Sequence, residues 1–190
     1  MTTTQFKDFF GNEISREEAE VSTQYSVETF VDGVINKIEQ LENGVVEITY
    51  YHLDASESIN ELLLLYPDQK VSFSTITDIG SYRIEYVFLY EKGRLTEQKK
   101  WIMNKNDQYI CLQKFDTITG LLINNATEKY YKDETSSYTF EYDQSGNCFM
   151  IHNETDGEKD IFGWEIGNPR CSFTWNSFEY YQYSEPLLPE

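Results

Sequence analysis

Apolar and polar residues alternate with a period of two along most of this chain, which is the mark of half-buried β-strands. Val46, Ile48 and Tyr50 face opposite to Glu47 and Thr49. Tyr82, Ile84, Tyr86, Phe88 and Tyr90 share one face, opposite Arg83 and Glu85. Val87 and Leu89 are apolar as well, so the later half of that strand is predicted to be buried on both faces. Tyr138, Phe140 and Tyr142 oppose Thr139 and Glu141. Phe173 and Trp175 flank Thr174, and Phe178 and Tyr180 continue the pattern past a bulge predicted at Asn176-Ser177. Two stretches read instead as helical, each opened by a Ser-x-x-Glu capping box: Ser15 to Glu20, and Ser58 to Tyr66, which Pro67 ends. The second defines a short helical insertion at about 57–66, whose leucines could pack on a sheet.

Between the strands a short phrase recurs: an apolar or aromatic residue, an acidic or amide residue, then glycine. It occurs around Gly11, Gly33, Gly44, Gly93, Gly120 and Gly146, with a weaker copy at Gly157. Glycine supplies the positive φ of a tight hairpin turn, and Asn or Asp tolerates it nearly as well. Successive gaps are 22, 11, 49, 27, 26 and 11 residues. Spacing in the twenties fits units of two strands and two turns, and the gap of 49 holds an insertion. The expectation is a mainly β fold, an antiparallel meander of hairpins forming a curved sheet or open barrel with one short helix. Residues 1–190 read as a single domain, with an extended, mobile tail at 184–190.

Aromatic residues make up 16 % of the chain, led by 15 Tyr and 12 Phe, which suits strands and half-exposed sheet faces. The formal net charge is −18. Such a field repels nucleic acid and anionic membrane and attracts a basic protein, although the same acids could simply form a solvated face. Cys111, Cys148 and Cys171 are odd in number and widely spaced, which predicts reduced thiols rather than a disulfide framework. No secretory signal is visible and the longest apolar run, Leu62 to Tyr66, is too short to span a bilayer, so the expected location is cytoplasmic.

Catalytic candidates are few. His52 and His152 fall at strand ends, and neither a Gly-x-Ser-x-Gly elbow nor a Gly-rich phosphate loop is present. The acidic loop from Asn153 to Asp160 offers hard oxygen ligands but lacks the order of a Ca²⁺ loop. No cofactor is implied. The C-terminal aromatics Phe162, Trp164, Phe173, Trp175, Phe178, Tyr180, Tyr181 and Tyr183 form either a docking or ligand surface or a sheet core. Carboxylates beside tyrosine rings are complementary to arginine, which stacks on the ring while pairing with the acid.

The run Tyr138-Thr139-Phe140-Glu141-Tyr142-Asp143-Gln144-Ser145-Gly146-Asn147 resembles the Tyr-Asp repeat phrase of bacterial Rhs-type proteins. Tyr90-Glu91-Lys92-Gly93-Arg94-Leu95 and Leu41-Glu42-Asn43-Gly44-Val45 are similar to the turns of MORN-like repeats. Such repeats also occur in small bacterial immunity or antitoxin proteins, so the resemblance implies a toxin-neutralising partner protein. The insertion from Asp54 to Asp78 and the aromatic C-terminus depart from the pattern, and no functional residue is carried over.

Three functional readings follow. The first is an acidic, non-enzymatic protein-binding module of the immunity or inhibitor kind, facing a basic toxin or nuclease. The alternative is a lipocalin-like β-barrel holding a small apolar ligand. An enzyme using acids at a barrel mouth ranks last. The residues expected to carry binding are Tyr138, Glu141, Tyr142, Trp164, Trp175 and Phe178.

Overall fold

A computed structural model describes residues 1–154 and 159–189. The strands are β1 (Thr2–Asp8), β2 (Glu13–Ile14), β3 (Gln24–Val31), β4 (Val34–Glu42), β5 (Val45–His52), β6 (Lys70–Ile79), β7 (Tyr82–Glu91), β8 (Arg94–Asn104), β9 (Tyr109–Phe115), β10 (Leu122–Lys132), β11 (Ser137–Tyr142), β12 (Cys148–Asn153) and β13 (Ile161–Phe162). Two short helices, α1 (Arg16–Val21) and α2 (Ile59–Leu63), interrupt them. The strand order is linear, β13-β12-β11-β10-β9-β8-β7-β6-β5-β4-β3-β1-β2, so the sheet is an open meander, as the alternation predicts. Among the described residues no helix is long and apolar enough to cross a membrane.

The turns show why the chain folds back so often. Val31 pairs with Val34 and Glu42 with Val45, which leaves two-residue loops, and Asp32-Gly33 and Asn43-Gly44 have positive φ at both positions. That is the type I′ geometry whose twist matches the flanking strands. A second turn type uses an aspartate as its own template. Asp8 Oδ1 accepts from the Phe10 and Asn12 amides, and Asp143 Oδ1 from those of Ser145 and Asn147, each loop closing with a glycine at positive φ. Asn104 does the same for Asn106 and Gln108, with Asp107 at φ +56 in the glycine's place. A glycine-based reading misses that copy. It also misses the β6–β7 turn at Gly80-Ser81. Gly157 and the middle of the acidic loop lie outside the described residues.

One pair breaks the antiparallel series. β5 and β6 run parallel, Thr49 opposite Val71 and His52 opposite Ser74. Parallel neighbours need a crossover, and residues 53–69 with α2 supply it. The long glycine gap is therefore a crossover. The Ser15 capping box of α1 forms in full, with Ser15 accepting from Glu18 and Glu18 capping Ser15. The Ser58 box does not: its side chain makes no cap bond, α2 stops at Leu63, and Leu64 and Leu65 are exposed.

The chain divides into two compact units, Met1–Ile76 with Tyr86–Gln98, and Thr77–Glu85 with Lys99–Glu190. In the first, Val71 and Phe73 of β6 are fully buried, and Tyr51, Tyr66 and Tyr90 ring Phe73 at centroid distances of 6.0, 6.4 and 5.9 Å. Glu28, also buried, is held by Lys7 at 2.9 Å.

In the second unit, one apolar cluster gathers Phe140, Tyr142, Cys148, Ile151 and Phe173, with Tyr138, Trp175, Phe178 and Tyr181 packed around it. A second joins Ile84, Ile102, Ile110 and Cys111 to Tyr82, Leu187 and Leu188. Two expectations are corrected here. Residues 171–183 form no long strand: they run as irregular chain, a 3₁₀ turn at Glu179–Tyr181 and one isolated bridge, Asn147 to Tyr183. The aromatic periodicity there serves packing of a coil against the sheet. The C-terminal tail is docked rather than loose. Its anchor is Lys129, wholly buried, whose Nζ donates to the carbonyls of Tyr180, Tyr183 and Pro186 at 2.8, 2.8 and 2.7 Å. The ammonium also lies 3.8 Å from the centre of the Tyr180 ring.

Replacing Lys129 by Met should strand three carbonyls in the core and lower folding stability by about 3–5 kcal/mol. Urea denaturation measures the loss. Limited proteolysis should then find the chain cut within 182–189 under conditions that leave the wild type whole.

Candidate functional site

Strand register decides which side chains meet. Glu128 of β10 stands directly opposite Glu141 of β11, Tyr130 opposite Thr139, and Thr139 opposite His152 of β12. Directly paired residues share a face, and neighbours along a strand alternate. Glu128, Tyr130, Thr139, Glu141 and His152 therefore occupy one face, while Lys129, Tyr131, Tyr138, Phe140 and Ile151 occupy the face that carries the aromatic core.

The polar face is acidic and partly ordered by its own bonds. Glu128 receives the Tyr130 hydroxyl at 2.5 Å and pairs with Lys114 at 3.3 Å. Glu154 accepts from the hydroxyls of Thr139 and Ser137 at 2.7 and 3.2 Å. His152 lies between two acids, Nε2 3.1 Å from Glu141 and Nδ1 3.2 Å from Asp160. Only the imidazolium can donate from both nitrogens, so the geometry selects the charged ring. Burial opposes that charge, but hydrogen bonds to Glu141 and Asp160 outweigh it and raise the His152 pKa above its usual 6.5. With both nitrogens engaged, this histidine is not arranged as a free general base. Burial, then the bond to Glu128, pushes the Tyr130 hydroxyl far above the ordinary tyrosine range, which keeps it a donor. Trp101 extends the face, its ring 6.2 Å from that of Tyr130 and 4.6 Å from that of Tyr109.

Of the residues expected to bind, only Glu141 lies on this face. Tyr138 and Tyr142 project from the opposite side of the same strand, and Trp175 and Phe178 pack there with Phe173. The Tyr142 hydroxyl donates to the Tyr181 carbonyl, an internal bond. Trp164 stands apart, 77 % exposed. It lines a cleft of about 1040 Å³ together with Tyr138 and Phe178. The expected residues thus divide among an acidic face, a core and a cleft. The alternation of Tyr138 and Tyr142 with Glu141 already separates the first two. Glu128, Tyr130 and Trp101 go unnoticed because only strand pairing, absent from the local pattern, sets Glu128 beside Glu141 and Trp101 beside Tyr130.

The other histidine, His52, places Nδ1 2.8 Å from Ser74 Oγ, but Ser74 is buried and presents no nucleophile to solvent. Among the described residues no cluster of His, Cys, Asp and Glu is placed to hold a metal ion. Comparisons with family models, curated proteins and solved structures find no match to this chain.

The raised pKa of His152 has a definite sign. Its contribution to stability is fully present below the unfolded value, near 6.5, and is lost as pH rises through the higher folded value. An NMR titration should find the His152 ring with a pKa above 6.5, and Glu141→Gln should move it downward. A His152 that titrates unchanged in the variant would contradict the assigned bonds.

Proposed function

We propose that this chain is an acidic, non-enzymatic protein-binding module whose C-terminal unit docks a basic protein on the face of Glu128 and Glu141. The observation that carries this reading is their register. The two glutamates stand directly opposed on neighbouring strands, each held by its own partner, Glu128 by Lys114 and the Tyr130 hydroxyl and Glu141 by the His152 ring. Carboxylates gathered on one sheet face are expected where a basic partner uses the charge.

The surroundings suit the same partner. Glu154 and Asp160 add negative charge beside the pair, and Tyr130 and Trp101 offer ring faces. An arginine can stack on those rings while its guanidinium forks onto a carboxylate. A net charge of −18 would speed encounter with a cationic surface and give the complex a steep salt dependence. An inhibitor or immunity protein acting on a basic toxin or nuclease fits this description. The three free thiols suit a reducing compartment such as the cytoplasm. The alternative of a barrel enclosing an apolar ligand gains nothing from the linear strand order, or from Trp175 and Phe178 packing into the core.

The test is capture from the source cell's lysate on immobilised protein at low salt, followed by a salt step. One basic protein should elute in stoichiometric amount. The double variant Glu128→Lys, Glu141→Lys should bind that protein at least about tenfold more weakly. Glu128→Gln, which removes one of the charges, should weaken it less than the double variant does. Equal capture by the double variant, or a complex indifferent to salt, would refute the reading.

A further inference from the structure

The cleft beside Trp164 lies outside the acidic face. Its chemistry differs from the rest of this acidic chain. Trp164 is 77 % exposed, yet its backbone is tightly placed. It sits in a 3₁₀ turn, Gly163–Glu165, pressed against β12 so closely that a Cβ on Gly163 would lie 2.3 Å from the Cys148 carbonyl oxygen. No other residue fits at 163 without moving that turn. Phe162 stacks against the Trp164 ring at 5.9 Å and 21°. The Glu165 carboxylate accepts from the Phe162 amide at 3.1 Å and ties the turn's entry. An exposed indole whose backbone and neighbour are both fixed is a preorganised platform.

The charges of the cleft are unevenly engaged. Its lining includes Asp160 and Glu165 as well as Lys159 and Arg170. Both acids have internal partners: Asp160 is bonded to His152 and to the Asn153 amide, and Glu165 to Phe162. Neither Lys159 nor Arg170 has an ion pair among the described residues. Among the described residues, a chain with 33 acidic and 15 basic residues thus sets two cations without an ion pair on the lining of one cleft. The volume, about 1040 Å³, is at the upper end of ordinary small-molecule sites.

We propose that this cleft binds a small ring-bearing anion, the ring laid against Trp164 and the anionic group held by Arg170 and Lys159. Stacking on an indole needs only a flat or CH-lined ring face, and a guanidinium takes phosphate or carboxylate through two parallel N–H donors. A nucleoside monophosphate and an acidic sugar share this chemistry. The site borders the docking face at Asp160 but stands whether or not that face binds a protein.

The experiment is isothermal titration of the whole chain at low salt with four probes. Adenosine monophosphate and glucuronate each carry ring and charge, adenosine carries the ring alone, and inorganic phosphate carries the charge alone. Saturable binding of adenosine monophosphate or glucuronate is expected, at least about tenfold tighter than adenosine or phosphate, and which of the two binds tighter names the source. Trp164→Ala and Arg170→Ala should each weaken it at least about tenfold, with thermal midpoints unchanged because both side chains are exposed. No saturable heat from either ring-bearing anion at millimolar concentration overturns the proposal. So does equal binding of phosphate alone, or binding that survives both substitutions.

Discussion

A buried ammonium governs the C-terminal unit. Taking a lysine out of water is costly unless every N–H finds an acceptor, and Lys129 has three protons and three backbone carbonyls to receive them. Burial brings its pKa down to about 8, so at neutral pH the group is still mainly charged and still needs those acceptors. All three come from one stretch of chain, Tyr180 to Pro186, which must therefore bend around a single point. That bend seats Leu187 and Leu188 against the Ile102 and Cys111 cluster and lays Tyr181 on Phe140 at 4.5 Å. It also brings Ser184 to the Gly146 turn, where the Ser184 amide donates to Gly146 oxygen at 2.8 Å. A Cβ at 146 would meet Ser184 Oγ at 2.6 Å. Cys111 is closed off by the same burial, which pushes its thiol up to about 12.

Local pattern made much of the fold legible and long-range chemistry did not. Period-two alternation and the turn phrases suffice for strands such as β5 and β11, since each depends on residues adjacent in sequence. The parallel β5–β6 pair depends on where a crossover lands. The coil at 171–183 shows the opposite failure. Phe173, Trp175, Phe178 and Tyr180 imitate a strand, but the first three pack on Tyr138 and Phe140 and Tyr180 on Lys129, with no ladder of hydrogen bonds. A chain end of this kind reads as loose from its position alone. What fixes it is a lysine more than fifty residues upstream, which no local window contains.

The acidity has more than one origin, and that changes what it means. Part is spent on turns: Asp8, Asp116 and Asp133 accept from the amides of their own loops. Their carboxyls are held below the usual range, Asp8 chiefly by the Asn12 side chain, Asp116 by the Thr119 amide, and Asp133, at about 2, by the Tyr131 hydroxyl. These acids belong to the folding code of a hairpin protein. Glu128 and Glu141 lie within paired strands instead, where a β-branched or aromatic residue would serve the sheet better. Net charge alone cannot separate the two kinds. Position in the hydrogen-bond ladder does.

Asp160 links the two surfaces of interest. Its carboxylate bonds the His152 ring of the acidic face and also lines the Trp164 cleft. A carboxylate already held by an imidazolium neutralises a nearby lysine or arginine poorly, so the protonated histidine helps keep the cleft's cations available. Fields from more distant acids are screened beyond about 10 Å at ordinary ionic strength, so such short-range pairing sets the local sign. An acidic face and a cleft lined by Lys159 and Arg170 can therefore coexist in one unit of a chain at −18. The alternation of a β-strand makes this possible, turning Glu141 to one side and Tyr142 to the other with a single backbone step.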